Sequence, residues 1–330
     1  MISWRFWRSL QTPYVAHPIY RLRGIWRVPP TRRHVPRSRL ILLNHAATWV
    51  TLLILCSIGL VTLFGTSILF ILICGPAIAM FFLVLPLTLI TIGTLYGLAT
   101  TLLISNVIAI EKIQGRLTLM TLTSRGLAGA TWALCSLEFH TNFWLVQTRS
   151  FVSTVYFSTF FILLFALYPI LFTSSDTPPG TLYGAIAFAI FILDYIQSTN
   201  VGCLIGMLAP TYANSRAETR NFGLVAFLTL QFATYLLIGS LCVVAWPLLG
   251  ITPQIHPQIF ASICLVTYYM CREIIIVILA FMLAQRLNTP IDELDDFTQV
   301  GLIKIFDLPG FSRILYRFVI IESASTQHKQ

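Results

Sequence analysis

The chain has 330 residues, of which 57% are hydrophobic and only 10% are charged, and its mean hydropathy is +0.82. This composition excludes a water-soluble globular protein and is typical of an integral membrane protein. The net charge of +9 would indicate nucleic acid in a soluble protein. Here the basic residues flank apolar blocks, so we expect contact with membrane lipid and no nucleic-acid partner.

The N-terminal 40 residues contain nine of the 21 basic residues and no acidic residue. We interpret 1–40 as a basic cytoplasmic segment that is retained, because it leads into several apolar blocks rather than a cleavage site. From Leu40 to Ile110 the chain has no Asp, Glu, Lys or Arg. A bilayer core takes about 20 apolar residues per helical crossing, so this stretch must lie in a membrane.

The apolar blocks predict six transmembrane helices, at 41–64, 68–110, 151–173, 183–209, 222–248 and 259–284. The second block is long, and Gly75-Pro76 and Pro86 predict that 68–85 is a re-entrant or kinked approach to one crossing. Counting it as one crossing puts the basic clusters on one side, as the positive-inside rule requires. We therefore predict an all-α polytopic membrane protein with a six-span domain at 41–284, a cytoplasmic tail at 285–330 and both termini cytoplasmic.

The cytoplasmic segment 111–150 carries the most specific pattern. Its first part predicts a short surface helix within 111–124, with Leu117, Met120 and Ser124 forming an apolar stripe. Such a helix either docks into a groove on a soluble partner or lies in the membrane interface. The pattern alone favours neither alternative.

This segment resembles the coupling loop of ABC-2-type transporter permeases, whose motif is E-x-x-x-G-[TR]-L-x-x-L-x-x-T. The matching residues, with methionine in place of one leucine, are Glu111, Gly115, Arg116, Leu117, Met120 and Thr123. Residues 17–21 and 214–220 are similar to two further family segments, before the first span and between the fourth and fifth. The resemblance implies a location in the cell inner (cytoplasmic) membrane and a second permease copy or paralogue as partner. It also implies that the six motif residues contact a separate ABC ATP-binding subunit, which binds the ATP.

Three charged residues fall within predicted spans: Asp194 in the fourth, and Arg272 and Glu273 in the sixth. Such residues are costly in contact with lipid and should face protein or water. Counting along both helices puts Asp194 and Arg272 at similar depths, which favours an ion pair. Glu273 is about 100° round the helix and should face elsewhere. A structural role for the pair is favoured over a substrate contact.

Two G-x-x-x-G patterns, at Gly93/Gly97 and Gly202/Gly206, predict sites where helices approach closely. The cysteines show no pattern of metal ligands, and there is no phosphate-binding loop, so we predict no enzyme activity and no cofactor bound by this chain.

The predicted function is therefore the membrane-spanning permease subunit of an ATP-driven ABC transporter, an exporter, working with a separate ATP-binding subunit. One alternative is a stand-alone ion-coupled secondary transporter that uses Asp194, Arg272 and Glu273. Another is a membrane scaffold that has lost transport, because family members usually have Glu where this chain has Thr118.

Overall fold

The computed structural model describes residues 2–11, 68–117, 126–156, 179–248 and 257–289, and the secondary structure of these ranges is helical. The helices are α1 (Ile2–Gln11), α2 (Ile68–Ile113), α3 (Gly126–Thr141), α4 (143–156), α5 (Pro179–Tyr212), α6 (Arg216–Ser240), α7 (Trp246–Leu248) and α8 (Pro257–Arg286). A π-helical turn, Leu241–Ala245, joins α6 to α7.

Four described stretches are long and apolar enough to cross a membrane: Ile90–Ile113, Phe188–Tyr212, Arg216–Val244 and Ser262–Arg286. They correspond to the second, fourth, fifth and sixth predicted spans, which confirms an all-helical fold with helices suited to a membrane. The predicted span 41–64 lies outside the described residues, as do most of 151–173 and nearly all of the tail.

Of the two alternatives predicted for 68–85, the re-entrant approach is wrong, and the kinked approach stays a prediction. Helix α2 continues without a break from Ile68 to Ile113, so neither Gly75-Pro76 nor Pro86 ends it. A proline removes one backbone donor, and here the helix continues through that loss. Its 46 residues extend over roughly 69 Å, more than the thickness of a bilayer core. The predicted re-entrant turn is therefore not present, and α2 must tilt or project beyond the hydrocarbon layer.

The core forms where the two G-x-x-x-G patterns meet, α2 against α5. A Cβ on Gly202 would lie 2.3 Å from the carbonyl oxygen of Gly97, and a Cβ on Gly97 would lie 2.7 Å from the carbonyl oxygen of Ser198. The hydroxyl of Thr101 donates to the carbonyl of Gly202 at 3.1 Å. Because neither glycine has a side chain, the two backbones come into direct contact.

Helix α1 packs against α3 and against α5 and α8, two helices that contain candidate spans. Phe6 and Leu10 are buried, and the ring of Phe6 meets that of Trp132 edge-on with centroids 5.2 Å apart. The opposite face of α1 exposes Arg5 and Arg8. Arginines are costly against lipid chains, so this face of the bundle must adjoin water or protein. The N-terminal part of the predicted 1–40 segment thus belongs to the helical bundle.

Helix α3, within the predicted coupling segment, is buried rather than solvated. Every residue from Ala128 to Phe139 is buried, including Glu138. The helix is rich in small and apolar residues and is apolar on all sides, which is typical of a helix surrounded by protein. Thus 126–141 contributes to the core, and a partner has access to little of it.

Candidate functional site

Polar side chains from four helices form one buried cluster at the level of the predicted ion pair. Its members are Thr94 of α2, Asp194 and Ser198 of α5, Gln231 and Tyr235 of α6, and Tyr268 and Arg272 of α8. Each of the four helices that contain a candidate span contributes to it. The cluster therefore connects all of them through hydrogen bonds in a dry environment, where such bonds are electrostatically strong.

The Asp194–Arg272 ion pair is confirmed. Arg272 Nη2 donates to Asp194 Oδ1 at 2.8 Å, and the two side chains are 1% and 2% exposed, respectively. Arg272 Nη1 donates to Gln231 Oε1 at 2.7 Å. A buried pair persists only when further hydrogen bonds satisfy its remaining groups, and Gln231 supplies one of them.

Two tyrosines contact both members of the ion pair. The hydroxyls of Tyr235 and Tyr268 donate to Asp194 Oδ1, the first at 2.9 Å. Their rings also face the guanidinium of Arg272, which lies 5.0 Å from the centroid of Tyr235 and 5.8 Å from that of Tyr268. The rings stabilise the desolvated cation through cation–π contact. The pattern of charged residues in the sequence pointed to the pair, but nothing in it pointed to the tyrosines.

The second carboxylate oxygen, Asp194 Oδ2, has no hydrogen-bond partner among the described residues. It lies over Gly93, and a Cβ atom added to that glycine would be only 2.9 Å from Asp194 Oδ2. Gly93 therefore provides the space for this carboxylate on the surface of α2. The arrangement leaves one buried acceptor open beside an otherwise satisfied pair.

An apolar groove of about 300 Å³ adjoins the cluster. Its walls are formed by Ile90, Ile190, Asp194, Tyr235, Ile238, Gly239, Cys242, Cys264 and Tyr268. The π-helical turn supplies Cys242, and such turns frequently occur at functional sites. The groove is suited to an apolar group and not to a hydrated ion.

Glu273 faces away from Arg272, as predicted, and binds α1. Both carboxylate oxygens accept the backbone N–H of Ser3 at 3.1 Å, and the Ser3 hydroxyl donates to the same carboxylate. Asn200 of α5 donates to the carbonyl of Ser3 at 2.7 Å. A carboxylate at a helix N-terminus satisfies its unpaired N–H groups and its positive dipole. Glu273 therefore fixes the position of α1.

Of the short helix predicted within 111–124, residues 116–117 are helical and 118–124 lie outside the described residues, so it stays a prediction. Helix α2 ends at Ile113, and Gly115 adopts a left-handed conformation with φ of 68°. A residue of this kind ends helices, because glycine takes that conformation without a steric penalty. The last turn of α2 thus contains Glu111, which is buried, and the chain turns before Arg116, which is exposed.

The remaining motif residues are distributed differently. Leu117 is half-buried and packs against the core, whereas Met120 and Thr123 lie outside the described residues. Within the described part of the motif, Gly115 and Arg116 are the residues that a partner can reach. Glu111 and Leu117 instead hold the base of the segment in place.

Hydrogen bonds join the base of the motif to the α5–α6 junction. Lys112 Nζ donates to the carbonyls of Pro210 at 2.7 Å and Ala213 at 2.8 Å. Arg216, at the start of α6, donates to Asn106 Oδ1 of α2. The ends of α2, α5 and α6 are therefore fastened to one another.

The first turn of α6 is held by a variant of the capping box, in which the Glu218 side chain binds the residue before the N-cap Ser215. The backbone N–H of Glu218 donates to Ser215 Oγ at 3.2 Å, and Glu218 Oε2 accepts the N–H of Asn214 at 3.0 Å. This reciprocal pair fixes the start of α6 beside Lys112. The 214–220 segment, identified by resemblance, thus lies next to the end of α2.

No family model, curated protein or solved structure matches the chain.

Proposed function

We propose that this chain is the membrane-spanning permease subunit of an ATP-driven ABC transporter, an exporter that works with a separate ATP-binding subunit and a second permease copy or paralogue. The proposal includes six spans, both termini on the cytoplasmic side, and residence in the inner (cytoplasmic) membrane. It is supported by the resemblance of the 111–123 motif and by the geometry of the residues that follow α2.

The observation that carries the proposal is the attachment of the motif to three helices. Arg116, which is exposed, is four residues from Lys112, whose ammonium binds carbonyls at the end of α5. A partner that pushes on Arg116 would displace α2 and the α5–α6 junction together. This is the mechanical connection that a permease needs to convert nucleotide-driven movement of a partner into movement of its spans.

The buried cluster has a structural role in this proposal. Asp194 and Arg272 neutralise each other, and Gln231, Tyr235 and Tyr268 satisfy most of their remaining groups. A site of this kind holds helices together at one level while their ends move. The adjoining groove then offers an apolar surface along the spans.

A second candidate function, an ion-coupled secondary transporter, is favoured by one observation. Asp194 Oδ2 is buried, has no hydrogen-bond partner in the described ranges and belongs to a residue that lines the groove. A proton or cation that binds there would change the net charge of the cluster, which is a means of coupling.

Co-purification from mild detergent tests the proposal. We expect the wild-type chain to retain a Walker-A ATPase and Arg116→Glu to lose it, since charge reversal at an exposed contact disrupts association without changing the core. Arg5→Glu is the matched control, because Arg5 is also exposed but lies on α1. Absence of an ATPase with the wild type, under conditions that keep related transporters assembled, would contradict the proposal. Transport by the wild type that follows an ion gradient and needs no ATP would establish the second candidate.

A further inference from the structure

A second pocket, of about 360 Å³, lies where the ends of α2, α3, α5 and α8 meet. Its apolar walls are Ile108, Leu117, Leu127, Met207 and Leu287. The hydroxyl-bearing Thr131 and Thr211 also line it, and none of the described residues that line it is acidic. The pocket is distinct from the buried cluster and its groove.

Two cationic side chains, Lys112 and Arg286, line this pocket. Lys112 directs two of its three ammonium donors to the carbonyls of Pro210 and Ala213, which fixes the position of its charge. The guanidinium of Arg286 stacks 4.3 Å from the ring centroid of Tyr212. Stacking occupies the face of the planar guanidinium and leaves its N–H groups at the edge, a geometry that suits phosphate. The pocket thus combines an apolar wall with two positioned positive charges.

The pocket is level with the boundary between apolar and basic outward-facing residues. On α8 the exposed side chains are apolar at Ile274 and Ile278 and become basic at Arg286. On α6 the change occurs between Arg220, which is exposed, and Phe222 and Val225. Three candidate spans end at Ile113, Tyr212 and Arg286, all close to the pocket. Lipid phosphates lie at this level of a bilayer, between hydrocarbon and water.

We propose that this pocket binds the phosphate of an anionic phospholipid, with Lys112 and Arg286 as its cationic ligands and an acyl chain along the apolar wall. The positive end of the α3 dipole, which reaches the pocket at Leu127, adds to the same field. Bound lipid joins the base of the 111–123 motif to α3 and α8. The same phosphate chemistry is available from a soluble phosphate, and the experiment separates the two sources.

The test uses the full chain in nanodiscs of phosphatidylcholine, with and without phosphatidylglycerol, and measures retained lipid by native mass spectrometry. We expect selective retention of phosphatidylglycerol by the wild type. Arg286→Gln should weaken this retention about fivefold, and Arg286→Lys should preserve most of it. The test uses Arg286→Gln rather than a Lys112 variant, because Lys112 also binds carbonyls at the α5–α6 junction. Arg220→Gln is the matched control, since it removes an exposed charge at the same level outside the pocket.

A second arm adds inorganic phosphate to the protein in phosphatidylcholine nanodiscs and follows the thermal midpoint. No shift with phosphate, together with selective lipid retention, supports the lipid as ligand. A midpoint that rises with phosphate in the wild type and not in Arg286→Gln supports the same site with a soluble phosphate as ligand. Equal retention of the two lipids by the wild type, or equal losses in Arg286→Gln and Arg220→Gln, would overturn the proposal.

Discussion

Ser3 and Glu273 are 270 positions apart in the chain, and the backbone N–H of the first lies 3.1 Å from both carboxylate oxygens of the second. The contact places the start of α1 beside the middle of the candidate span Ser262–Arg286. The buried carboxylate of Glu273 thereby accepts hydrogen bonds, and the N-terminus of α1 finds an acceptor for its backbone N–H. One carboxylate in α8 therefore contributes to fixing the position of α1.

Removing the charge at position 273 should loosen α1. Glu273→Gln keeps the size of the side chain but loses a charge-assisted hydrogen bond, at a cost of about 2 kcal/mol. Hydrogen exchange of the α1 amides should accelerate while that of α5 changes little. Ile274→Val, an exposed neighbour on α8, is the control and should leave exchange in α1 unchanged. Unaltered protection of α1 in Glu273→Gln would show that other contacts hold it.

Breaking the Asp194–Arg272 pair should destabilise the protein strongly. Asp194→Asn leaves an uncompensated buried charge, which costs about 3–5 kcal/mol. Removing both charges, in Asp194→Asn with Arg272→Gln, should recover part of this. Thermal midpoints in detergent measure the effect, and a double variant no better than the worse single variant would argue against the pair.

The contact between α2 and α5 should not tolerate a methyl group. In Gly202→Ala the new Cβ would lie 2.3 Å from a backbone oxygen, so the helices must separate, at a cost of about 3 kcal/mol. We expect a lower thermal midpoint and a lower folded yield. Gly239→Ala is the matched control, because a Cβ there meets open space. A normal yield of Gly202→Ala would mean that the two helices are less close than described.

The stability of the protein should depend on pH through His140. Burial lowers the pKa of His140, whose Nε2 donates to the carbonyl of Leu10 at 2.8 Å, and the nearby Arg149 acts in the same direction. Because the unfolded chain binds this proton more readily, the stabilisation is present above the ordinary pKa of 6.5 and is lost as the pH falls below it.

Comparing thermal midpoints of the wild type and His140→Gln between about pH 7.5 and 5.5 isolates this contribution. The wild type should lose more stability on acidification than the variant, which retains a donor at this position. Parallel pH profiles for the two proteins would rule out His140 as the source.

The six-span topology predicts which positions are open to the outside. In a cysteine-free background, single cysteines near Ser175 and Gln254 should react with an impermeant thiol reagent from outside. Cysteines near Ser124 and at Asn214 should not. Asn214 is preferred to Ser215 because the Ser215 hydroxyl caps α6. Labelling at 124 from outside would contradict the proposed topology.

The sequence by itself determined that helices at 183–209, 222–248 and 259–284 are long and apolar enough to cross a membrane, and it favoured a pairing of Asp194 with Arg272. There is a physical reason for this. A helix that crosses lipid is apolar over its whole length, so a span is visible in the local amino-acid composition. The constant rise per residue of a helix then gives the depth of each residue from its position along the span. The two G-x-x-x-G patterns were likewise visible as packing sites. Each of these inferences needs only neighbouring residues or a count along a helix.

Only the tertiary structure decided that Gly97 meets Gly202, that α3 is buried and that Glu273 caps α1. It also ended α2 at Ile113 and brought Tyr235, Tyr268 and Gln231 to the ion pair. These arrangements depend on which helix faces join, and in a chain this apolar most faces have nearly the same hydrophobicity. Close packing and the satisfaction of buried polar groups then select among them, and both act between residues far apart in the sequence.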